Sequence, residues 1–166
     1  MGGLVATRST GQFSTGYGSI EDFLVGLEAV LADGTIVRIS NVPRRATGPD
    51  LRHLFLGSEG AFAIITEVTV KMFPIPEAVW KQAYRVKTMR QGLEVIRQIM
   101  RTGIKPAVVR LHDWLECEKP YGAFMEENEC MLLFWSEGRK EIAEAEGFII
   151  DEIAKANGAV SAGEKP

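Results

Sequence analysis

Two polar, glycine-flanked segments set into an apolar frame carry the residue types best suited to holding a ligand. The first is Ala6-Thr7-Arg8-Ser9-Thr10-Gly11; the second is Gly57-Ser58-Glu59-Gly60-Ala61-Phe62-Ala63-Ile64-Ile65-Thr66. Hydroxyls both donate and accept hydrogen bonds, and a missing side chain lets backbone amides approach a ligand closely. A cluster of such amides makes a cradle for an anion or a cofactor. Spacing alone leaves two ordinary turns as the competing reading. Other chemistry has less to stand on. There is no Gly-x-Gly-x-x-Gly after a strand, no Walker Gly-Lys-Ser/Thr, no Gly-x-Ser-x-Gly elbow and no His-Glu-x-x-His. Cys117 and Cys130 fit no zinc spacing and His53 and His112 complete no ligand set with them, so no metal is expected and the thiols read as reduced.

Arg110 is the third candidate. Period-two alternation through Ala107–His112 puts Val108, Arg110 and His112 on one face of a strand and Val109 and Leu111 on the other. If the two aliphatic residues pack under helices, Arg110 is presented away from them; a surface arginine with a solvated head is the alternative. His112 reads as a bystander. Charge is uneven around this strand. Lys81–Arg110 holds eight basic residues and one acid, and Glu116–Glu152 holds eleven acids and three bases. That pattern fits solvated helix faces of opposite sign or a basic patch facing an anionic ligand.

The elements that must position these residues change texture along the chain. Residues 1–74 hold 10 of the 17 glycines and read as short strands joined by turns. Asp33-Gly34 reads as a two-residue type I′ hairpin turn. Pro49 and Gly57 bracket a short helix as first residue and left-handed stop. Ala61–Phe73 reads as an alternating strand. Two prolines in Pro74-Ile75-Pro76 favour extended backbone before each, which places a domain boundary there, with domains at 1–75 and 76–166.

The second part reads β-α-β-loop-β-α. Val79–Val86 is a strand. Thr88 and Gln91 form a capping box ahead of a helix with Met89, Leu93, Ile96 and Met100 on one face, ending at Gly103. Ala107–His112 and Cys130–Trp135 are strands. Ser136 caps a second helix with Ile142, Ala145, Ile149 and Ile153 on one face and Gly158 as its stop, after which a further strand is due. This order suggests a split-βαβ, ferredoxin-like sandwich.

With 166 residues, 46% apolar and 25% charged, and a net charge of −3, the composition is that of an ordinary globular chain rather than a disordered one. No apolar run approaches the ~20 residues of a membrane span, so no transmembrane segment is expected. A mildly acidic chain is a poor nucleic-acid binder. No signal peptide or lipidation motif is visible, which makes a cytoplasmic location the expectation.

Gly2-Gly3-Leu4-Val5-Ala6-Thr7-Arg8-Ser9-Thr10-Gly11 and Tyr17-Gly18-Ser19-Ile20-Glu21-Asp22 resemble the second lobe of the FAD-binding domain of the vanillyl-alcohol-oxidase (PCMH) type. So do Thr47-Gly48-Pro49-Asp50-Leu51 and Gly57-Ser58-Glu59-Gly60 through Ile64-Ile65-Thr66-Glu67. Within that superfamily the sequence is most similar to alkyldihydroxyacetonephosphate synthases and the bacterial FAD-linked oxidases near them. Thr-Gly-Pro-Asp at 47–50 suits that branch better than the glycolate oxidase and D-lactate dehydrogenase branch, which stands as an alternative. Pro106-Ala107-Val108-Val109-Arg110-Leu111 and Gly163-Glu164 resemble the family's cap. The fold implied is α+β: the second lobe of a PCMH-type FAD-binding domain, then a partial ferredoxin-like α/β cap.

The resemblance implies FAD as cofactor. It assigns cofactor contact to Thr7, Arg8, Ser9 and Thr10, and to Glu59, Gly60, Ala61, Phe62, Ala63, Ile64 and Ile65, with Ile64 and Ile65 on apolar cofactor surface. Ala63 departs from the family's usual glycine and adds a methyl expected to crowd the cofactor, though not severely. In the resembling synthases an arginine in this cap strand lies near the flavin, which gives Arg110 a catalytic role. The family's first flavin lobe and its C-terminal catalytic segment have no counterpart in the sequence, so the chain reads as the central piece of an FAD-dependent oxidoreductase or alkyl-transferring synthase. Alone it is expected to be inactive and to bind FAD weakly or not at all. The implied substrate is a small molecule, either phosphorylated or a 2-hydroxy acid, and a homodimer is compatible with the reading. The rival is a non-enzymatic ferredoxin-like binding or assembly module. A nicotinamide-binding domain is disfavoured by the absent fingerprint.

Overall fold

The computed structural model describes residues 1–43 and 46–162. In chain order its elements are α1 (Gly2–Ala6), α2 (Ser14–Tyr17), α3 (Ile20–Phe23), β1 (Leu24–Leu31), β2 (Ile36–Ile39), α4 (Arg52–Phe55), β3 (Ala63–Val70), β4 (Ala78–Val86), α5 (Met89–Arg101), β5 (Val108–His112), α6 (Trp114–Tyr121), β6 (Cys130–Gly138), α7 (Lys140–Ala156) and β7 (Val160–Ser161). They form an α+β protein of two compact units. One comprises Met1–Gly11 and Gly18–Pro74; the other comprises Gln12–Tyr17 and the chain from Ile75 on.

The first unit is built on a three-stranded antiparallel sheet of order β2-β1-β3. Its hairpin turns at Asp33-Gly34, but not as a type I′ pair. Gly34 sits at φ +87° while Asp33 stays out of the left-handed region. The Gly34 N–H donates to Leu31 O (3.0 Å) and the Leu31 N–H to Thr35 O (2.9 Å), a type I turn closed by a glycine bulge. Asp33 favours this form because its carboxylate accepts from the Thr35 N–H (2.9 Å). β3 also departs from strict alternation. Its pairing slips by one residue between Glu28/Glu67 and Ala29/Ile65, so Thr66 is the extra residue of a bulge. Ile65 and Val68, three apart, therefore both pack against the core of Val5, Ile20, Leu24, Leu27, Ala29, Phe55, Leu56 and Ala63.

The stretch before β1 is helical rather than the short strands its glycines suggest. α3 starts where the Asp22 carboxylate accepts from the Ser19 N–H (2.8 Å), and α1 is fixed by Val5, which is fully buried. The expected helix after Pro49 begins later, at Arg52, because the Asp50 carboxylate accepts from the Arg52 N–H (3.1 Å) and caps that point.

In the second unit the strands run β5-β6-β4-β7, all antiparallel. The first strand of the unit lies between the third and the fourth, and the second lies outside the third, the ferredoxin-like order. α5 and α7 cover one face over Tyr84, Val86, Leu132 and Phe134, with Val95, Ile99 and Ile150 from the helices. The Tyr84 hydroxyl, buried in that core, donates to Asp151 Oδ1 (3.0 Å). β7 supplies the strand due after Gly158; Gly163 and Glu164 lie outside the described residues.

Both helices are rotated from the faces that their large apolar residues suggest. α5 buries Gly92, Val95 and Ile99, and Met89, Leu93 and Met100 are exposed. α7 buries Ala143, Gly147, Ile150 and Ala154, leaving Ile142 and Ala145 outside. The reason is close approach to the sheet. A Cβ on Gly92 would lie 2.5 Å from Leu111 Cδ1, and one on Gly147 2.5 Å from Trp80 Cδ2. Small residues mark the contact line. Ser136 is not a helix cap: β6 continues to Gly138 and Ser136 is wholly buried within it. The two glycine contacts differ in what must yield. Leu111 offers the ends of a flexible side chain, whereas Trp80 offers a rigid indole. Gly147→Ala should lose ~1–3 kcal/mol to overpacking, more than the ~1 kcal/mol that alanine returns in helix propensity. Gly92→Ala should cost clearly less. Urea melts of the two variants test this ordering.

Candidate functional site

The two polar segments meet in the first unit. The last turn of α1 offers its carbonyls sideways: the Gly57 N–H donates to Val5 O (3.0 Å) and the Glu59 N–H to Ala6 O (2.9 Å). Two more N–H groups of the first segment fold back on the same helix, Ser9 to Leu4 O (2.9 Å) and Arg8 to Val5 O (3.1 Å). Orphan C-terminal carbonyls are thus satisfied by backbone amides of the two polar segments themselves. Thr7 Oγ1 donates to Gly3 O (2.9 Å) and lies 2.7 Å from Ser9 Oγ, and Thr10 Oγ1 donates to Ser19 Oγ (3.1 Å).

Backbone strain concentrates here. Among the described residues three non-glycine positions have positive φ: Arg8 (+51°), Glu59 (+50°) and Asn128 (+68°). Two of the three belong to the paired segments, beside Gly57 (+71°) and Gly60 (+84°). Such conformations cost energy and persist where the surroundings impose them, often at ligand sites. Arg8 is held by an ion pair with Glu21.

Alternation sorts the remaining residues of the second segment. Ala63 is buried in the lobe's core and Ile65 packs against it, whereas Phe62 and Ile64 are 62% and 73% exposed. The apolar surface offered outward is therefore Phe62 and Ile64, and the Ala63 methyl points into the core. Ser58 adds a feature that spacing did not single out: its hydroxyl is buried with no hydrogen-bond partner among the described residues. Buried polar groups almost always have partners, so an orphan in such a turn asks for one.

Arg110 lies in the second unit, on β5, opposite Leu133 of β6. Val109 and Leu111 pack toward α5 and α7, and Arg110 is exposed on the other sheet face. Its neighbours are committed elsewhere: His112 Nδ1 is 2.6 Å from Glu116, and Arg85 faces Glu129 at 3.4 Å. Arg110 makes no ion pair among the described residues.

Residues 1–40 match the family model described as FAD binding domain. The chain is 53% identical over 92% of its length to an uncharacterized FAD-linked oxidoreductase, YgcU, of Escherichia coli O157:H7, covering 32% of that protein. It is 38% identical over 68% of its length to the alkyldihydroxyacetonephosphate synthase of Caenorhabditis elegans, covering 19% of it. A solved alkyldihydroxyacetonephosphate synthase superposes on 99% of the chain with a TM-score of 0.85 and 27% identity, the chain covering 33% of that structure. Over the stretch it shares with them, the chain is a homologue of FAD-linked oxidoreductases and alkyldihydroxyacetonephosphate synthases. It spans a third or less of the length of these relatives.

FAD is the cofactor that the matching domain model and the FAD-linked relative point to, and the cradle fits it in kind. Unstrained turns with satisfied hydroxyls would need no ligand. Here Ser58 lacks a partner among the described residues, left-handed residues flank it, and Phe62 and Ile64 offer apolar surface.

In Thr47-Gly48-Pro49-Asp50, the aspartate has a mechanical role in the first unit. Asp50 holds the Arg52 guanidinium, which donates to Leu24 O (2.7 Å) and Val25 O (3.0 Å) at the start of β1 and to Pro43 O (3.3 Å). Sequence reading missed Arg52; the only signal was an acid two residues before a base. The guanidinium pulls the Asp50 carboxyl from its ordinary 3.8 to about 2. A depressed carboxyl stabilises the lobe fully above its unfolded pKa and loses that contribution as pH falls through the folded one. Acid unfolding should therefore show a loss of stability between about pH 4 and pH 2 that Asp50→Asn removes. Arg52→Ala, which strands two carbonyls of β1, should cost ~2 kcal/mol or more at neutral pH. Denaturant melts across pH check both.

Proposed function

We propose that the chain is the cofactor-cradling lobe and the cap sheet of an FAD-dependent oxidoreductase or alkyldihydroxyacetonephosphate synthase-like enzyme. The observation that carries this reading is the pairing of the two polar segments through Val5, Ala6, Gly57 and Glu59 around the orphan Ser58 hydroxyl. In it, residues 1–75 form the second lobe of the FAD-binding domain and residues 76–166 the first part of the cap. Bound FAD supplies the acceptor or donor of an electron pair, chemistry that no side chain here provides.

The chain's own residues bind and orient. The hydroxyls of Thr7, Ser9, Thr10 and Ser58 and the amide of Gly60 take polar cofactor atoms. Phe62 and Ile64 lie along its apolar surface, and Arg8 and Glu59 are held in place by their backbone. Arg110 presents a fixed positive charge from a strand whose other face is locked into the core. A guanidinium so held suits an anionic small molecule, a phosphorylated compound or a 2-hydroxy acid, because planar donors bind carboxylate or phosphate in pairs.

Two measurements test the reading. FAD titrated into the chain should raise its melting temperature by no more than a degree or two, since a ligand stabilises only in proportion to how far it exceeds its Kd and this chain carries only one lobe of the cofactor's domain. In the full-length protein, Arg110→Ala should lower kcat/KM for an anionic substrate by ~100-fold, with Arg110→Lys recovering part of it. Unchanged kcat/KM in Arg110→Ala would remove the assigned role.

A further inference from the structure

The turn that opens α3 lies against the first polar segment, and both belong to the first unit. Three consecutive residues of the turn meet three consecutive residues of the segment in reverse order. Ser19 Oγ accepts from Thr10 Oγ1 (3.1 Å), the Ile20 N–H donates to Ser9 O (3.3 Å), and the Glu21 carboxylate pairs with Arg8 Nε. The turn is itself fixed. The Asp22 carboxylate accepts from the Ser19 N–H (2.8 Å), and Ile20 is buried in the unit's core. Gly18 enters the turn at φ +91°, where a Cβ would sit 2.5 Å from Asp22 Oδ2.

α1 grips the same segment from the other side, but only part of the way. Its carbonyls take the Arg8 and Ser9 N–H groups. Thr10 lies beyond their reach, and among the described residues its hydrogen bond is the one from its hydroxyl to Ser19. The Arg8 side chain has Glu21 as its ion-pair partner and passes Gly57, where an added Cβ would lie 3.4 Å from Arg8 Cβ. An exposed ion pair contributes little alone. Here it is the third contact of a row, on a residue whose φ of +51° only its surroundings maintain.

We propose that Ser19 and Glu21 are positioning residues for the cradle: Ser19 sets the Thr10 hydroxyl and Glu21 sets Arg8, beyond what α1 holds. The proposal rests on the FAD reading for its functional meaning. Both residues act within the first unit.

Amide hydrogen exchange on the chain, without any ligand, tests Glu21. Glu21→Gln keeps the shape of the side chain and removes its charge. The Ile20 and Ser9 amides should exchange about threefold faster in that variant, with the amides of the β1–β2 hairpin unchanged. Arg8→Glu combined with Glu21→Arg restores the pair in reverse and should return both amides toward the wild-type rate. Unaltered exchange in Glu21→Gln, no recovery in the reversed pair, or equal acceleration at the hairpin would overturn the role of Glu21.

FAD affinity of the full-length protein tests Ser19. Ser19→Ala should weaken binding about fivefold, and Thr10→Val should weaken it as well. If Ser19 acts through Thr10, adding Ser19→Ala to Thr10→Val costs nothing more. Additive losses would overturn the role, because a merely structural residue would act independently of Thr10. A wild-type protein that binds no FAD would count against the flavin reading. The same pair of substitutions, followed by Ile20 exchange in the chain, then decides Ser19 alone.

Discussion

Two backbone hydrogen bonds, from Gly57 and Glu59 to the carbonyls of Val5 and Ala6, hold the first unit's polar surface together. Most of what surrounds them follows. A five-residue helix cannot satisfy its last carbonyls internally, so some other chain must. Taking those bonds brings the Gly57–Gly60 turn over α1, and it forces Glu59 into the left-handed region as the chain passes. Arg8 is bent the same way on the other side. Both strained residues are the cost of bringing two hydroxyl-bearing turns side by side, 50 residues apart in sequence, and the core residues Val5, Phe55 and Leu56 directly beneath hold that arrangement in place.

Arg52 does comparable work for the sheet. Its guanidinium spans the first carbonyls of β1 and the loop after β2, so a charged group joins the buried Phe55 and Leu56 in placing α4 and the turn that follows it relative to β1. Carbonyl acceptors fit a guanidinium because its donors fork in a fixed plane. The Asp50 carboxylate then neutralises a cation whose side chain is only 13% exposed.

The order of elements in the second unit was legible because strands and capped helices there follow their local patterns: the Thr88 cap, the Gly103 and Gly158 stops and the alternation of β5 all match. What was not legible was set by contacts distant in sequence. Nothing near Gly147 announces Trp80, so the larger isoleucines of α7 drew the wrong face. The Thr66 bulge depends on a slip against Glu28, and the Thr66 hydroxyl donates to that same Glu28 carboxylate (2.8 Å). Ser58 was in view as part of a segment, but its missing partner is a property of burial. The excursion of Gln12–Tyr17 into the other unit had no local mark beyond glycines on both sides.

The basic run from Lys81 to Arg110 narrows sharply once its charges are placed. Arg97 pairs with Glu94 on the helix surface, Arg85 faces Glu129, and Lys81 lies 4.4 Å over the Trp135 ring. A cation already in an ion pair, or spread over an aromatic face, has less field left for a ligand than its count suggests. On the sheet face away from α5 and α7, this leaves Arg110, flanked by the aliphatic Leu133 across the ladder and set two residues from a histidine bound to Glu116. Isolation is what gives such a charge its value. With no carboxylate paired to it among the described residues, its charge is open to an anion, and the strand beneath it is anchored by Val109 and Leu111.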